Sequence, residues 1–189
     1  MITEPGKVLM LKIEKSIVLI GLMGAGKSNI GRQCARLFKL GFADSDTAVE
    51  NAAGMSIAMI FDLYGEEAFR KLEAKTLGKL LDGTPGIIAT GGGAFLNDTT
   101  RALIKEKSLS VWLKAQPATL ADRISNTDSR PLLKDRDPVE VLTELAEIRY
   151  PVYAEAHLSV DTDGLSLADA VKKVKNTLME YFDAEQPLK

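Results

Sequence analysis

An uninterrupted apolar run, Ser16-Ile-Val-Leu-Ile20, leads straight into Gly21-Leu-Met-Gly24-Ala-Gly26-Lys27-Ser28, and this junction constrains the chain more than any other stretch. A short β-branched run closed by a glycine turn reads as a strand buried on both faces. The eight residues after it fit G-x-x-x-x-G-K-[ST], the P-loop. Glycines at these spacings let the backbone curl until successive N–H groups point inward, a concave nest for phosphate oxygens. A helix opening near Lys27 adds the positive end of its dipole. Lys27 contributes a point charge for the outer phosphates, and Ser28 a hydroxyl able to ligate Mg²⁺. The plainer reading is a glycine-rich turn with an incidental lysine, and the strand and helix on either side argue against it. The motif implies a nucleoside triphosphate and magnesium without specifying a reaction.

Beyond this junction the pattern alternates. Lys27 to Phe38 carries Ile30, Cys34, Leu37 and Phe38 at helical spacing, and Gly41-Phe-Ala43 is a brief strand leading into Asp44-Ser-Asp46. Helices are expected over 56–64 and 66–81, punctuated by Gly65. Ile87-Ile-Ala89 reads as a strand closed by Gly91-Gly92-Gly93, 99–107 as a helix, and 109–113 as a strand with Trp112 in the core. Pro117 suits a helix first turn. Residues 126–137 are polar and turn-rich, which is loop chemistry. A helix over 138–150, a strand at Leu158-Ser-Val160 and an amphipathic helix from Ser166 to about Phe182 complete the chain. Strand and helix in alternation imply an α/β fold, a parallel sheet with helices on both faces and its ligand crevice at the carboxyl ends of the strands. The P-loop, the aspartate pair and the triple glycine each fall just after an expected strand.

Two carboxylates follow the second strand. If extended geometry persists, Asp44 and Asp46 project to the same side, one free to hold a metal's water shell and the other to accept a proton from an attacking hydroxyl. An Asx-rich turn is the competing reading, and Glu50, about a turn onward, is a weaker candidate for either task. Arginine is the fork-shaped partner of carboxylate and phosphate. Arg70 has an alternative in an i−4 pair with Glu66. Arg123, Arg130 and Arg136 could be solvated, and Arg149 could simply complement a helix end. Gly91, Gly92 and Gly93 are either a tight turn or bare backbone at the crevice. His157 has no motif partner, and Cys34 lies on an apolar face, where packing is its expected role.

Composition closes off several classes. With 24 Lys+Arg against 26 Asp+Glu in 189 residues, a net charge of −2 offers no general attraction for nucleic acid or an anionic membrane, so any anion site must be built locally. One cysteine excludes an internal disulfide framework and fits a reducing compartment. No apolar run approaches the ~20 residues of a membrane helix, and the charged start with Pro5 and Gly6 is no secretory signal. A cytoplasmic monomer is expected, a single domain over 13–183 between tails at 1–12 and 184–189.

Taken together, the motifs resemble the shikimate kinase family over roughly residues 16–180. They are the P-loop at 21–28, Phe-Ala-Asp-Ser-Asp at 42–46, Gly-Glu-Glu-Ala-Phe-Arg at 65–70, the triple glycine at 91–93, Arg-Pro-Leu-Leu at 130–133 and Arg149-Tyr-Pro. The resemblance implies a three-layer, nucleoside-monophosphate-kinase-like P-loop fold with a five-stranded parallel sheet and a mobile lid over about 126–137. It implies transfer of the ATP γ-phosphoryl group to the 3-hydroxyl of shikimate. Carried over by position, Gly24, Ala25, Gly26, Lys27, Ser28 and Asn29 would bind the nucleotide, Lys27 would hold the transferring phosphates, and Ser28 with Asp44 would hold Mg²⁺. Asp46 would bind the accepting hydroxyl as the candidate base, and Arg70 and Arg149 would clamp the carboxylate beside Gly91, Gly92 and Gly93. Arg130 would reach the γ-phosphate from the lid, and Arg123 would stack near adenine. Asn29 stands where the family commonly has Thr, and 161–165 carries no clear adenine signature. A gluconate kinase on the same scaffold, or a silent nucleotide-binding module, are the rival readings.

Overall fold

The computed structural model describes residues 13–124 and 136–185. Residues 126–135 of the expected lid, Arg130 among them, lie outside the described residues, as do 1–12 and 186–189 of the expected tails. Five strands, β1 (Ser16–Ile20), β2 (Gly41–Asp44), β3 (Gly86–Ala89), β4 (Ser108–Lys114) and β5 (Leu158–Asp161), form one sheet in the order β2-β3-β1-β4-β5. Every pairing is parallel, with Ile17 of β1 in register with Ile87 on one side and Leu109 on the other. All five residues of β1 are buried, as expected for a continuous apolar run in the centre of a parallel sheet.

Among the described residues, seven α-helices connect and cover the strands: α1 (Lys27–Phe38), α2 (Ser45–Ala53), α3 (Ile57–Leu81), α4 (Asp98–Lys107), α5 (Pro117–Ile124), α6 (Pro138–Tyr153) and α7 (Leu167–Glu185). The step from β1 to β2 runs across the sheet in the opposite sense to the later steps. Right-handed crossovers therefore put α1 on one face and α3 to α6 on the other, and α7 packs against α1. The chain reverses direction between β1 and β3, so a crevice opens between their carboxyl ends. The P-loop leaves β1 there, and the triple glycine leaves β3.

The helical reading over 56–81 holds, including the break: Gly65 sits at φ 77°, ψ 176° inside α3. Three features differ from expectation. The nine-residue α2 was not anticipated, because its only buried apolar side chain is Val49 and small residues fill the rest of its inner face. Val49, Ile60 and Phe69 make a second, small core apart from the main one. Helix α6 continues past Pro151 to Tyr153, whose ring is fully buried beside Trp112 and Tyr150, and α7 runs to Glu185 rather than ending near Phe182. Trp112 and Cys34 are core residues, as read. His157 is tied through Nδ1 to the Ser110 amide and hydroxyl, a structural bond between β4 and β5.

Candidate active site

Helix α1 begins at Gly26, in the left-handed region at φ 83°, with no side chain capping it and no acidic residue in its first turn. A helix start left without an internal acceptor presents its N–H groups to an external one. Glycine is required two residues earlier as well. Gly24 sits at φ 80°, and a Cβ there would lie 2.7 Å from the Leu120 carbonyl oxygen of α5, so α5 backs the loop directly. The Lys27 ammonium folds over the loop and donates to the Gly21 and Leu22 carbonyls at 2.8 and 2.9 Å.

The aspartates meet this loop by the second of the two routes left open, an Asx-type turn in place of an extended pair. Extended backbone stops at Asp44, which caps α2, its Oδ1 accepting the Asp46 N–H at 3.1 Å. Asp46 thus projects from the first turn of a helix and not from a strand. The Ser28 hydroxyl donates to Asp44 Oδ2 at 2.7 Å, joining the P-loop to β2. Asp46 is half-buried, and burial raises its pKa above the ordinary carboxylate range. The neighbouring Asp44 charge adds to that push, and Lys27 and Arg70 counter it in part. Glu50 serves structure instead: its carboxylate accepts the Ile57 N–H at 3.0 Å and closes the turn between α2 and α3.

Arg70 does pair with Glu66, through Nε and Nη2 at 3.3 and 3.1 Å, but its Nη1 also meets Glu73 at 2.8 Å. Glu73 is only 1% exposed. Its burial pushes the carboxyl pKa up, and the ion pair with Arg70 pulls back without cancelling it. An exposed i,i+4 pair with Glu66 alone would leave the guanidinium mobile; the buried Glu73 gives it one orientation, with Glu66 on its wet side.

The glycine strip accounts for the proximity of these groups. A Cβ on Gly91 would lie 2.5 Å from Asp46 Oδ1, and one on Gly93 would lie 2.7 Å from an Arg70 guanidinium nitrogen. The Gly91 N–H donates to the buried Ser45 hydroxyl at 3.2 Å, which seats the start of α2 on the strip. Arg149 reaches the Gly92 carbonyl with Nη1 at 3.4 Å. Gly91→Ala is therefore expected to fold, because the clash is with the tip of a side chain, and to lose turnover because Asp46 must move. A melting curve near wild type together with a loss of roughly tenfold or more in kcat/KM checks both halves.

One cavity of about 660 Å³ collects most of the anticipated residues. Gly24 to Asn29 form one wall, and Asp44, Asp46, Gly91 and Gly92 another. Arg123 closes the far end with Leu165, Leu167 and Ala170, its guanidinium held by the Thr162 and Leu165 carbonyls at 2.7 and 3.2 Å. Arg70, Gly93 and Arg149 adjoin this cavity through their contacts with the glycine strip and do not line it. Sequence reasoning missed Ser45, Glu73 and Tyr153. The position of Glu73, three residues after Arg70 on one helix face, was the available signal for it.

Comparison with known proteins agrees with this geometry. A family model described as shikimate kinase matches residues 23–179. A shikimate kinase of Caulobacter vibrioides is 53% identical over 166 residues, covering 88% of this chain and 83% of its own. One from Paramagnetospirillum magneticum is 47% identical over 175 residues, covering 93% and 90%. Among solved structures, shikimate kinase from Acinetobacter baumannii in complex with shikimate superposes with a TM-score of 0.82 at 33% identity, over 88% of this chain and 94% of that one. A gluconokinase from Sinorhizobium meliloti, at TM-score 0.62 and 19% identity over 88% and 92%, shares the fold alone. With a P-loop, an acidic pair and an arginine-backed glycine strip gathered at the carboxyl ends of the strands, and a family match running nearly the length of the described fold, the chain belongs to the shikimate kinase family.

Proposed function

We propose that the chain transfers the ATP γ-phosphoryl group to the 3-hydroxyl of shikimate, giving shikimate 3-phosphate and ADP. The observation that carries this reading is the convergence of Lys27 and Asp46 on one cavity, a cation for the donor phosphates facing a carboxylate for the acceptor hydroxyl. Phosphoryl transfer asks little covalent chemistry of a protein and much positioning and charge neutralisation. The P-loop amides and Lys27 hold the triphosphate, and Arg123 holds the adenine end. Asp46 accepts a hydrogen bond from the attacking hydroxyl and takes its proton, a task for which a raised carboxyl pKa is an advantage. Arg70 and Arg149 fork the substrate carboxylate against Gly91, Gly92 and Gly93, and Arg130 neutralises charge at the transferring group.

Mg²⁺ suits the donor set at the mouth of the loop, where the Ser28 hydroxyl and Asp44 carboxylate meet at 2.7 Å and both offer hard oxygens. Bound there, the ion would supply charge to offset that of the phosphate oxygens. The reading has the chain acting as a cytoplasmic monomer of one domain, and Cys34, a buried free thiol whose pKa burial raises to about 12, fits a reducing compartment.

The test is a coupled ADP-release assay with shikimate, run beside shikimate-free controls and an acceptor panel that includes gluconate. Shikimate-dependent ADP release is expected; release with gluconate alone, or with no acceptor at all, overturns the reading. Within it, Arg70→Lys raises the shikimate KM by about tenfold, because an ammonium cannot present two parallel N–H groups to a carboxylate. An unchanged KM would return Arg70 to pairing on the helix surface.

A further inference from the structure

The Gly92 carbonyl lies where the glycine strip meets α6, and two side chains of that helix reach it. Tyr153, fully buried, donates its phenol hydrogen to this oxygen. Arg149, one turn earlier, approaches the same oxygen at 3.4 Å, at the outer limit of a hydrogen bond. Burial pushes the Tyr153 phenol pKa up, and the adjoining Arg149 guanidinium opposes that push, so all three groups are in mutual contact.

The Gly92 carbonyl is part-buried, and such a group is best satisfied by a donor. Tyr153 provides one from inside the core, and Arg149 is not needed for the purpose. We propose that Tyr153 is a positioning residue for the acidic substrate: by satisfying the Gly92 carbonyl, it leaves the Arg149 guanidinium available to the substrate carboxylate. This rests on the reading of Arg149 as part of the carboxylate clamp. Without the phenol, Arg149 is the donor left within reach of that oxygen, and each N–H it commits there is withdrawn from the ligand.

Tyr153→Phe removes one oxygen and keeps the ring. Tyr150→Phe is the matched control, because Tyr150 packs on the same Trp112 ring and donates to a different carbonyl, that of Ala115. Tyr153→Phe is expected to raise the shikimate KM about tenfold while the ATP KM and kcat stay within about twofold. Tyr150→Phe should leave the shikimate KM within about twofold, and in an Arg149→Ala background Tyr153→Phe should add little. Calorimetric titration with shikimate at low temperature provides the same comparison if the variant is too labile for turnover. An unaltered shikimate affinity in Tyr153→Phe, an equal rise in Tyr150→Phe, a parallel rise in the ATP KM, or a full effect without Arg149 would each overturn the proposal. If the wild-type protein releases no shikimate-dependent ADP, the functional reading falls and takes this proposal with it. Normal wild-type turnover with an unaltered Tyr153→Phe overturns the proposal alone.

Discussion

Replacing Asp46 with asparagine is expected to lower kcat by ~10²-fold or more and leave ATP affinity close to wild type, since the amide keeps the side chain's shape and loses its basicity. Steady-state kinetics with each substrate varied in turn distinguishes the cases: a change confined to the shikimate KM would make Asp46 a binding group only. The pH dependence follows from the same environment. Burial, then the Asp44 charge, raises the Asp46 pKa, and in the proposed role of base the carboxyl works only when ionised. The acid limb of kcat/KM should therefore fall at a higher pH than an ordinary carboxylate would give, and asparagine should abolish that limb. Stability moves the other way. A carboxyl whose pKa is higher in the fold than in the unfolded chain favours the fold below the unfolded value, ~3.9, and loses that contribution as pH rises through the folded value. At neutral pH the ionised Asp46 thus weighs against the fold. Asp46→Asn should melt higher than wild type there, with the advantage shrinking in acid. A variant that melts lower at neutral pH would refute this account of the site's electrostatics.

Lys27→Ala should abolish measurable turnover with the fold intact. The ammonium is the loop's cation, resting on the Gly21 and Leu22 carbonyls, and among the described residues no other lysine lines the cavity. Its loss removes charge stabilisation at the transferring phosphates, where a single such contact is commonly worth 10²–10³ in rate, roughly, or more. Alanine at the first position of α1 is a good helix former, and the residues that bury β1 are untouched. Circular dichroism and thermal melts should stay near wild type as ADP release drops out. A variant that keeps a near-normal rate would remove Lys27 from the mechanism.

Much of the architecture could be read from local pattern because local pattern produces it. The apolar run of β1, the P-loop spacing and the Gly65 break each act over a few residues, and each was found where expected. What escaped notice depends on contacts distant in sequence. Helix α2 has almost no apolar stripe of its own and is held by α3 and by Asp44 at its start. Ser45 meets Gly91 across 46 positions, and Tyr153 meets Gly92 across 61. Neither pairing leaves a trace in composition or spacing. The Asp44–Asp46 pair was recognised with its geometry left open: an extended pair and an Asx-type capped start both set two carboxylates close together, and spacing does not tell them apart.

On the proposed reading the floor under the acceptor, Gly91 to Gly93, is a surface made only of main chain. At its two ends, Gly91 and Gly93, the smallest available change, one methyl group, would touch Asp46 at 2.5 Å or Arg70 at 2.7 Å before it met any backbone. Variation there would spare folding and strike reactivity at once, leaving no graded series of intermediates for selection to explore. A lineage seeking a new acceptor on this scaffold has to begin from the walls, among the arginines and their buried supports.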